Sequence, residues 1–233
     1  MTVEILFGEW CNLFGDSGNV RFLQQCLPEA EFVHTSLTQR PRFADAAPDL
    51  LYMGPMSESA QIKVIAALRP HRDRLAELID RGVPMLFIGN ACEVLGLVIE
   101  TPDGRVEGLG LLPFTAKQEM IKRYNGLTMG TFEGITVMGF RSQFTFGKRT
   151  GPCDGFLKVT RGAGLAPGDP WEGFRVKECI GTYLLGPILV VNPAFTHWLL
   201  SRMGADRPLP FEAELQKAYD LRLREFNDPK VKF

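Results

Sequence analysis

Histidine is scarce in this chain: three occur in 233 residues, and none lies near a cysteine in sequence. The five cysteines, Cys11, Cys26, Cys92, Cys153 and Cys179, are odd in number, widely spaced and form no Cys-x-x-Cys pair. These two shortages argue against a disulfide framework and against a zinc or other metal site, and for a reducing, cytoplasmic setting. No apolar run approaches the roughly 20 residues that cross a bilayer. The opening residues Met1-Thr2-Val3-Glu4 also lack the basic start of a signal peptide. Neither sign of charge is in excess, and a net charge of −1 gives no electrostatic reason to expect nucleic acid. Walker A spacing is missing, and Gly15-Asp16-Ser17-Gly18 lacks the G-x-G-x-x-G pattern, which leaves nucleotide cofactors without support. No cofactor is expected.

What is present is the pattern of an α/β domain. With 45% hydrophobic residues the chain can bury a sizeable core, and no boundary splits it, so residues 1–233 read as one domain. Short apolar runs at 3–7, 31–34, 49–53 and 85–88 are compatible with buried parallel strands. Helical segments alternate with them. Asn19 reads as a cap for a helix carrying Val20, Leu23 and Leu27, and Ser57 as a cap for one placing Ile62, Ile65 and Leu68 inward. A third, at about 72–81, carries Leu75, Leu78 and Ile79 and ends at Gly82. This alternation predicts an open, mostly parallel sheet with helices on both faces.

The second half changes character. Thr101-Pro102-Asp103-Gly104 predicts a hairpin turn between 98–100 and 105–107. Modest strands are expected at 127–129, 135–140, 156–159, 174–177 and 182–184, as extra antiparallel pieces. Residues 38–48 read as a surface connection, and the Gly- and Pro-rich stretch 147–173 as long loops. Two helices close the chain. One follows Asn192-Pro193, and one spans 211–226 with Leu215 and Ala218 inward.

One stretch organises the whole. The run 83–88 breaks at Gly89-Asn90 and continues into a segment compatible with a helix, Ala91-Cys92-Glu93-Val94-Leu95-Gly96. In open α/β sheets ligands and reactive groups sit just beyond the carboxyl end of a strand. In several hydrolases the nucleophile occupies such a turn. Here the turn residue is Gly89, which has no side chain.

Four segments in order suggest a family. Residues 12–19 (NLFGDSGN) resemble "N-L-Y-G-D-x-G-N", and 85–96 (MLFIGNACEVLG) resemble "V-L-A-V-C-G-G-Y-Q-L-L-G". Residues 108–112 (GLGLL) match "G-L-G-L-L", and 181–187 (GTYLLGP) resemble "G-T-Y-L-H-G-P", with Asn192-Pro193 beyond. On these the chain resembles the class I glutamine amidotransferases of the cobyric acid synthase type. The resemblance implies a flavodoxin-like sheet. It also implies a cysteine that attacks glutamine's amide, a histidine base, two backbone N–H groups facing the oxyanion, and an ATP-dependent, Mur-ligase-like synthetase that receives ammonia.

Carried over residue by residue, the cysteine falls on Gly89 and the histidine on Leu185. The oxyanion loop "G-G-G-Q-D" falls on Gly54-Pro55-Met56-Ser57-Glu58, where Pro55 has no N–H. A segment like "G-F-E-N-H" falls on Gly139-Phe140-Arg141-Ser142-Gln143. No catalytic residue is therefore expected. The resemblance points to Gly54, Asn90, Glu93 and Arg123 as ligand-facing, for a small amide or carboxylate. Three readings stay open: a glutaminase-inactive binding or regulatory subunit of a synthetase, an active glutaminase or amidase using Cys92 as fallback nucleophile, and a homo-oligomeric interaction protein. No histidine is predicted beside Cys92, for His34 ends a strand, His71 lies between Pro70 and a charged helix, and His197 sits on the late helix.

Overall fold

The computed structural model describes residues 1–121 and 123–231. The first half alternates as expected: β1 (Thr2–Leu6), α1 (Ser17–Cys26), β2 (Glu31–Thr35), β3 (Leu50–Met53), α2 (Glu58–Leu68), α3 (Arg72–Asp80), β4 (Met85–Ile88) and the one-turn α4 (Ala91–Val94). The hairpin about Pro102-Asp103 joins β5 (Val98–Thr101) to β6 (Gly104–Glu107). Then come β7 (Phe114–Gln118), β8 (Tyr124–Phe132), β9 (Ile135–Gln143), β10 (Thr145–Arg149) and β11 (Leu157–Arg161). The chain continues through β12 (Trp171–Glu172), β13 (Phe174–Val176) and β14 (Cys179–Thr182), and ends in α5 (Ile188–Val191), α6 (Pro193–Arg202) and α7 (Glu212–Asn227).

A six-stranded sheet in the order β13-β14-β4-β3-β1-β2 forms the centre. Its pairs are parallel apart from the edge strand β13, which runs antiparallel to β14. All four residues of β4 are buried, and they alternate between two cores. Met85 and Phe87 pack on one face with Val64 and Leu75, while Leu86 and Ile88 pack on the other with Phe22, Ile188 and Phe195. A strand covered by helices on both faces must be apolar throughout, which is why Met85–Ile88 carries no polar residue. The remaining strands form two four-stranded sheets, β10-β7-β5-β6 and β12-β11-β8-β9, antiparallel except where β5 meets β7. Among the described residues no helix is long and apolar enough to cross a membrane.

Several local expectations are corrected. Asn19 lies inside α1, which begins at Ser17; it is buried and donates to Asp16 (3.1 Å) and Tyr52 (3.0 Å). Ile62 is 55% exposed, and Gln61 takes the inward place on α2 because the buried Glu93 needs a donor there. The 38–48 connection is not wholly superficial. Phe43 is fully buried, and the backbone N–H groups of Arg42 and Phe43 both donate to the buried carboxylate of Glu4 at 2.7 Å. On α7 Leu215 is partly buried but Ala218 is exposed, and Phe226 anchors the helix. The strand expected at 156–159 is β11, but the rest of 147–173 is not all loop, since β10 reaches Arg149 and β12 falls within it, and β7 was not expected.

The loop before α1 acts as a tie. The carboxylate of Asp16 accepts from the Tyr52 hydroxyl at 2.6 Å, and the side-chain oxygen of Asn19 accepts from the Leu189 amide at 2.9 Å. This joins the end of β3 to α1 and α5. Gly54 is required beside it, because a Cβ there would stand 2.2 Å from Asp16 Oδ2 and 2.5 Å from the Cys11 carbonyl. We expect Gly54→Ala to lower unfolding free energy by about 1–3 kcal/mol in urea denaturation. An unchanged midpoint would contradict this close approach.

Candidate functional site

The site lies where β3, β4 and β14 end. Gly89 follows β4 with φ of +63°, a conformation that L side chains rarely adopt, and its N–H donates to the Thr182 carbonyl at 2.7 Å. A Cβ added to Gly89 would lie 2.7 Å from Pro55 Cβ and 3.5 Å from Leu185 Cδ2. The two positions that the resemblance equates with nucleophile and base therefore do face one another. Between them there is hydrocarbon and no reactive group. Leu185 is itself fixed, its N–H donating to the Phe140 carbonyl at 2.7 Å.

Asn90 closes the neighbouring loop. Its side-chain oxygen accepts from the Met56 N–H at 3.0 Å and its NH2 donates to the Met56 carbonyl at 2.9 Å. Pro55 has no N–H, and that of Met56 is already engaged. An oxyanion hole needs free N–H groups aimed at developing charge, and this loop offers none at those two residues.

Beyond Gly89 lies a cavity of about 150 Å³. Its walls include Asn90, Glu93 and Arg123 with Gly89, Leu185, Pro55 and Met56; Gly54 is not among them, because it packs beneath, against Asp16. Leu13 and Phe14 from the loop before α1, and Ser142, Gln143, Phe144 and Thr145 around the β9–β10 turn, complete it together with Ser57, Glu58 and Tyr183. Arg123 stands over the rings of Phe144 (5.1 Å) and Phe14 (5.9 Å).

Glu93 is the buried polar centre. It accepts from Gln61 Nε2 and from the Tyr183 hydroxyl, both at 2.9 Å. Burial pushes its carboxyl up to about 7, against the pull of hydrogen bonds from Gln61, Tyr183 and Thr145. Cys92, one residue earlier, is fully buried, and burial with the nearby Glu93 and Glu172 pushes its thiol well above the usual value. No histidine approaches it: His71 packs on Phe43, His197 bonds Glu212 at 2.8 Å, and His34 lies on β2. A thiol kept protonated and lacking a base is a poor nucleophile.

Two buried charged residues were not anticipated. Arg141 is fully buried and donates to the carbonyls of Ala163 (2.5 Å) and Gly164 (2.6 Å) and to Gln143 Oε1 (3.1 Å). It sits between the rings of Tyr124 and Tyr183, so it fixes two cavity-lining side chains, Gln143 and Tyr183, from behind. Glu172 accepts from the Thr182 hydroxyl (2.8 Å) and the Tyr183 N–H (2.7 Å). Only the departure at Arg141 from "G-F-E-N-H" could have flagged this region. Among the described residues no group of histidine, cysteine and carboxylate side chains could hold a metal.

The chain is 30% identical over 218 residues to the lipid II isoglutaminyl synthase (glutamine-hydrolyzing) subunit GatD of Staphylococcus aureus (strain N315), covering 91% of this chain and 88% of that one. It belongs to the class I glutamine amidotransferases of the GatD type. This GatD-type chain is also 33% identical over 159 residues to the cobyric acid synthase of Desulforudis audaxviator (strain MP104C), but spans only 30% of that protein's length. No family model matches it. A crystal structure of a glutamine amidotransferase superposes with a TM-score of 0.56 at 12% identity, over 87% of this chain and 99% of that one. PurLQS from Thermotoga maritima gives 0.56 at 11% identity, over 95% and 98%. These likenesses carry the fold: the amidotransferase-like parallel sheet is the one described above.

In this GatD-type chain the raised carboxyls set a pH trend. A carboxyl that titrates higher when folded binds more protons in that state, so its contribution is full below the unfolded value and lost as pH rises through the folded one. For Glu93 that window runs from 4.5 to about 7. Denaturation between about pH 5 and 8 should show stability falling, by roughly 3 kcal/mol from Glu93. Asp16, pushed up to about 6 by burial, adds to the fall. Glu93→Gln should flatten the trend, and equal slopes in the two proteins would contradict it.

Proposed function

We propose that this GatD-type protein does not hydrolyse glutamine and serves as a binding or regulatory subunit of an ATP-dependent, Mur-ligase-like synthetase. On this reading the chain is a single domain, acts in the cytoplasm in cell-wall chemistry, and uses the cavity through Asn90, Glu93 and Arg123 to hold a small carboxylate or amide. The observation that carries the proposal is the packing at Gly89, where the nucleophile position has no side chain and Leu185 fills the place of the base. Magnitude supports it: loss of a nucleophile or base in a serine protease costs on the order of 10⁶ in kcat. A missing oxyanion donor costs about 10²–10³ where the rest is intact. These losses are not additive, but nucleophile and base are both absent here.

A subunit role is supported by the surface around the cavity mouth. Leu13 and Phe14, which line the cavity, are both exposed. Adjacent apolar side chains exposed at the rim of a cavity suit a partner. S. aureus GatD is by name a subunit of a synthase.

The test is ammonia release from glutamine by the purified chain, alone and with a candidate Mur-ligase-like synthetase. We expect background rates, unchanged in Cys92→Ala, and co-purification with the synthetase. Robust release that Cys92→Ala abolishes would overturn the proposal. The double variant Gly89→Cys, Leu185→His should stay near background, because Pro55 lacks an N–H and that of Met56 is held by Asn90, which leaves the loop short of a donor. Strong turnover in that variant would show that the loop matters less than nucleophile and base.

A further inference from the structure

The cavity beside Gly89 is dipolar, and its charges are unmatched. Arg123 is held between two aromatic rings, and among the described residues no carboxylate lies within ion-pair distance of it. Two carboxyls, Glu58 and Glu93, also line the cavity, close enough that Glu58 raises Glu93. The hydrogen bonds that Glu93 accepts come from neutral groups, Gln61, Tyr183 and Thr145. A cation and two carboxyls share one small space without pairing, which leaves room for a ligand bearing both signs.

The third wall is different. Around Gly89 the surface is Pro55, Met56 and Leu185, and the backbone N–H and C=O of Met56 are both taken by Asn90. A carboxamide pushed into that end would give up its hydrogen bonds to water and find none in return from these residues. A hydrocarbon group there gains by leaving water. The volume of about 150 Å³ holds a molecule on the order of ten non-hydrogen atoms, at one per water-sized site.

We infer that the cavity selects an α-amino acid with an apolar side chain, in the size range of leucine or methionine, over glutamine. Its carboxylate meets Arg123, its ammonium faces Glu58 and Glu93, and its side chain lies against Leu185, Pro55 and Met56. This deepens the reading of the cavity as a binding site and rests on it. The changes at Gly89, Asn90 and Leu185 that remove glutaminase chemistry also convert the amide end of the cavity to an apolar one. Loss of activity and change of ligand are then one event.

The experiment is isothermal titration of the full chain with L-leucine, L-methionine, L-glutamine, L-glutamate, N-acetyl-L-leucine and L-leucinamide. Leucine or methionine should bind at least tenfold more tightly than glutamine and glutamate. Each blocked derivative, lacking one of the two charges, should also lose tenfold or more. Arg123→Ala should weaken leucine by tenfold or more, and Leu185→Gln should narrow the gap between leucine and glutamine. Glutamine binding as tightly as leucine would overturn the selectivity while leaving the binding-subunit reading in place. No binding by any amino acid would overturn this inference altogether. The subunit reading would then still be decided by ammonia release and co-purification with the synthetase.

Discussion

The structure depends on the turn at Gly89, where β4 reverses into α4 with a positive φ and the adjacent space is already filled. In a hydrolase such a turn is strained so that a side chain projects from it. Here the strain is absent because glycine adopts the conformation without penalty. Pro55 has moved into the volume that a Cβ would need, and Leu185 covers the other side. Once those contacts exist, any larger residue at 89 must displace them. The packing that stabilises the turn is the same packing that rules out a nucleophile.

Around that apolar centre the polar framework has been kept and refitted. Glu93 is satisfied by Gln61 and Tyr183, while Arg141 holds Gln143 by a hydrogen bond and stands over the ring of Tyr183. Glu172 in turn fixes the backbone of Tyr183. A buried charge without partners is costly, so these groups persist only as a connected set. The set borders an open cavity whose walls include Gly89 and Leu185, the positions the resemblance equates with nucleophile and base.

Much of the first half was legible in the sequence. Parallel strands buried on both faces favour continuous apolar runs, as in β3 and β4, whereas β1 interrupts its run with the buried Glu4. Ser57 accepts from the Ala60 N–H as a cap should, and Gly82 takes the positive φ that ends α3. The facing of Gly89 and Leu185 was legible only through the resemblance, since 96 positions separate them. What sequence could not supply were contacts made by fold rather than by pattern. The inward turn of Arg141 inverts simple alternation, for Phe140 beside it is exposed. The Asn90–Met56 pairing and the seating of Gly54 on Asp16 are likewise contacts between distant segments. Ile62 failed for a related reason: the buried need of Glu93 rotated Gln61 inward, and the polar residue won the core-facing place.

The most direct measurement of the central claim is intact mass after incubation with a diazoketone analogue of glutamine, which alkylates a thiolate held at a glutaminase site. With Gly89 bare and the thiol of Cys92 buried and protonated, the account predicts an unchanged mass in the native protein, alone or with the proposed synthetase. A stoichiometric adduct mapped to Cys92 would contradict it.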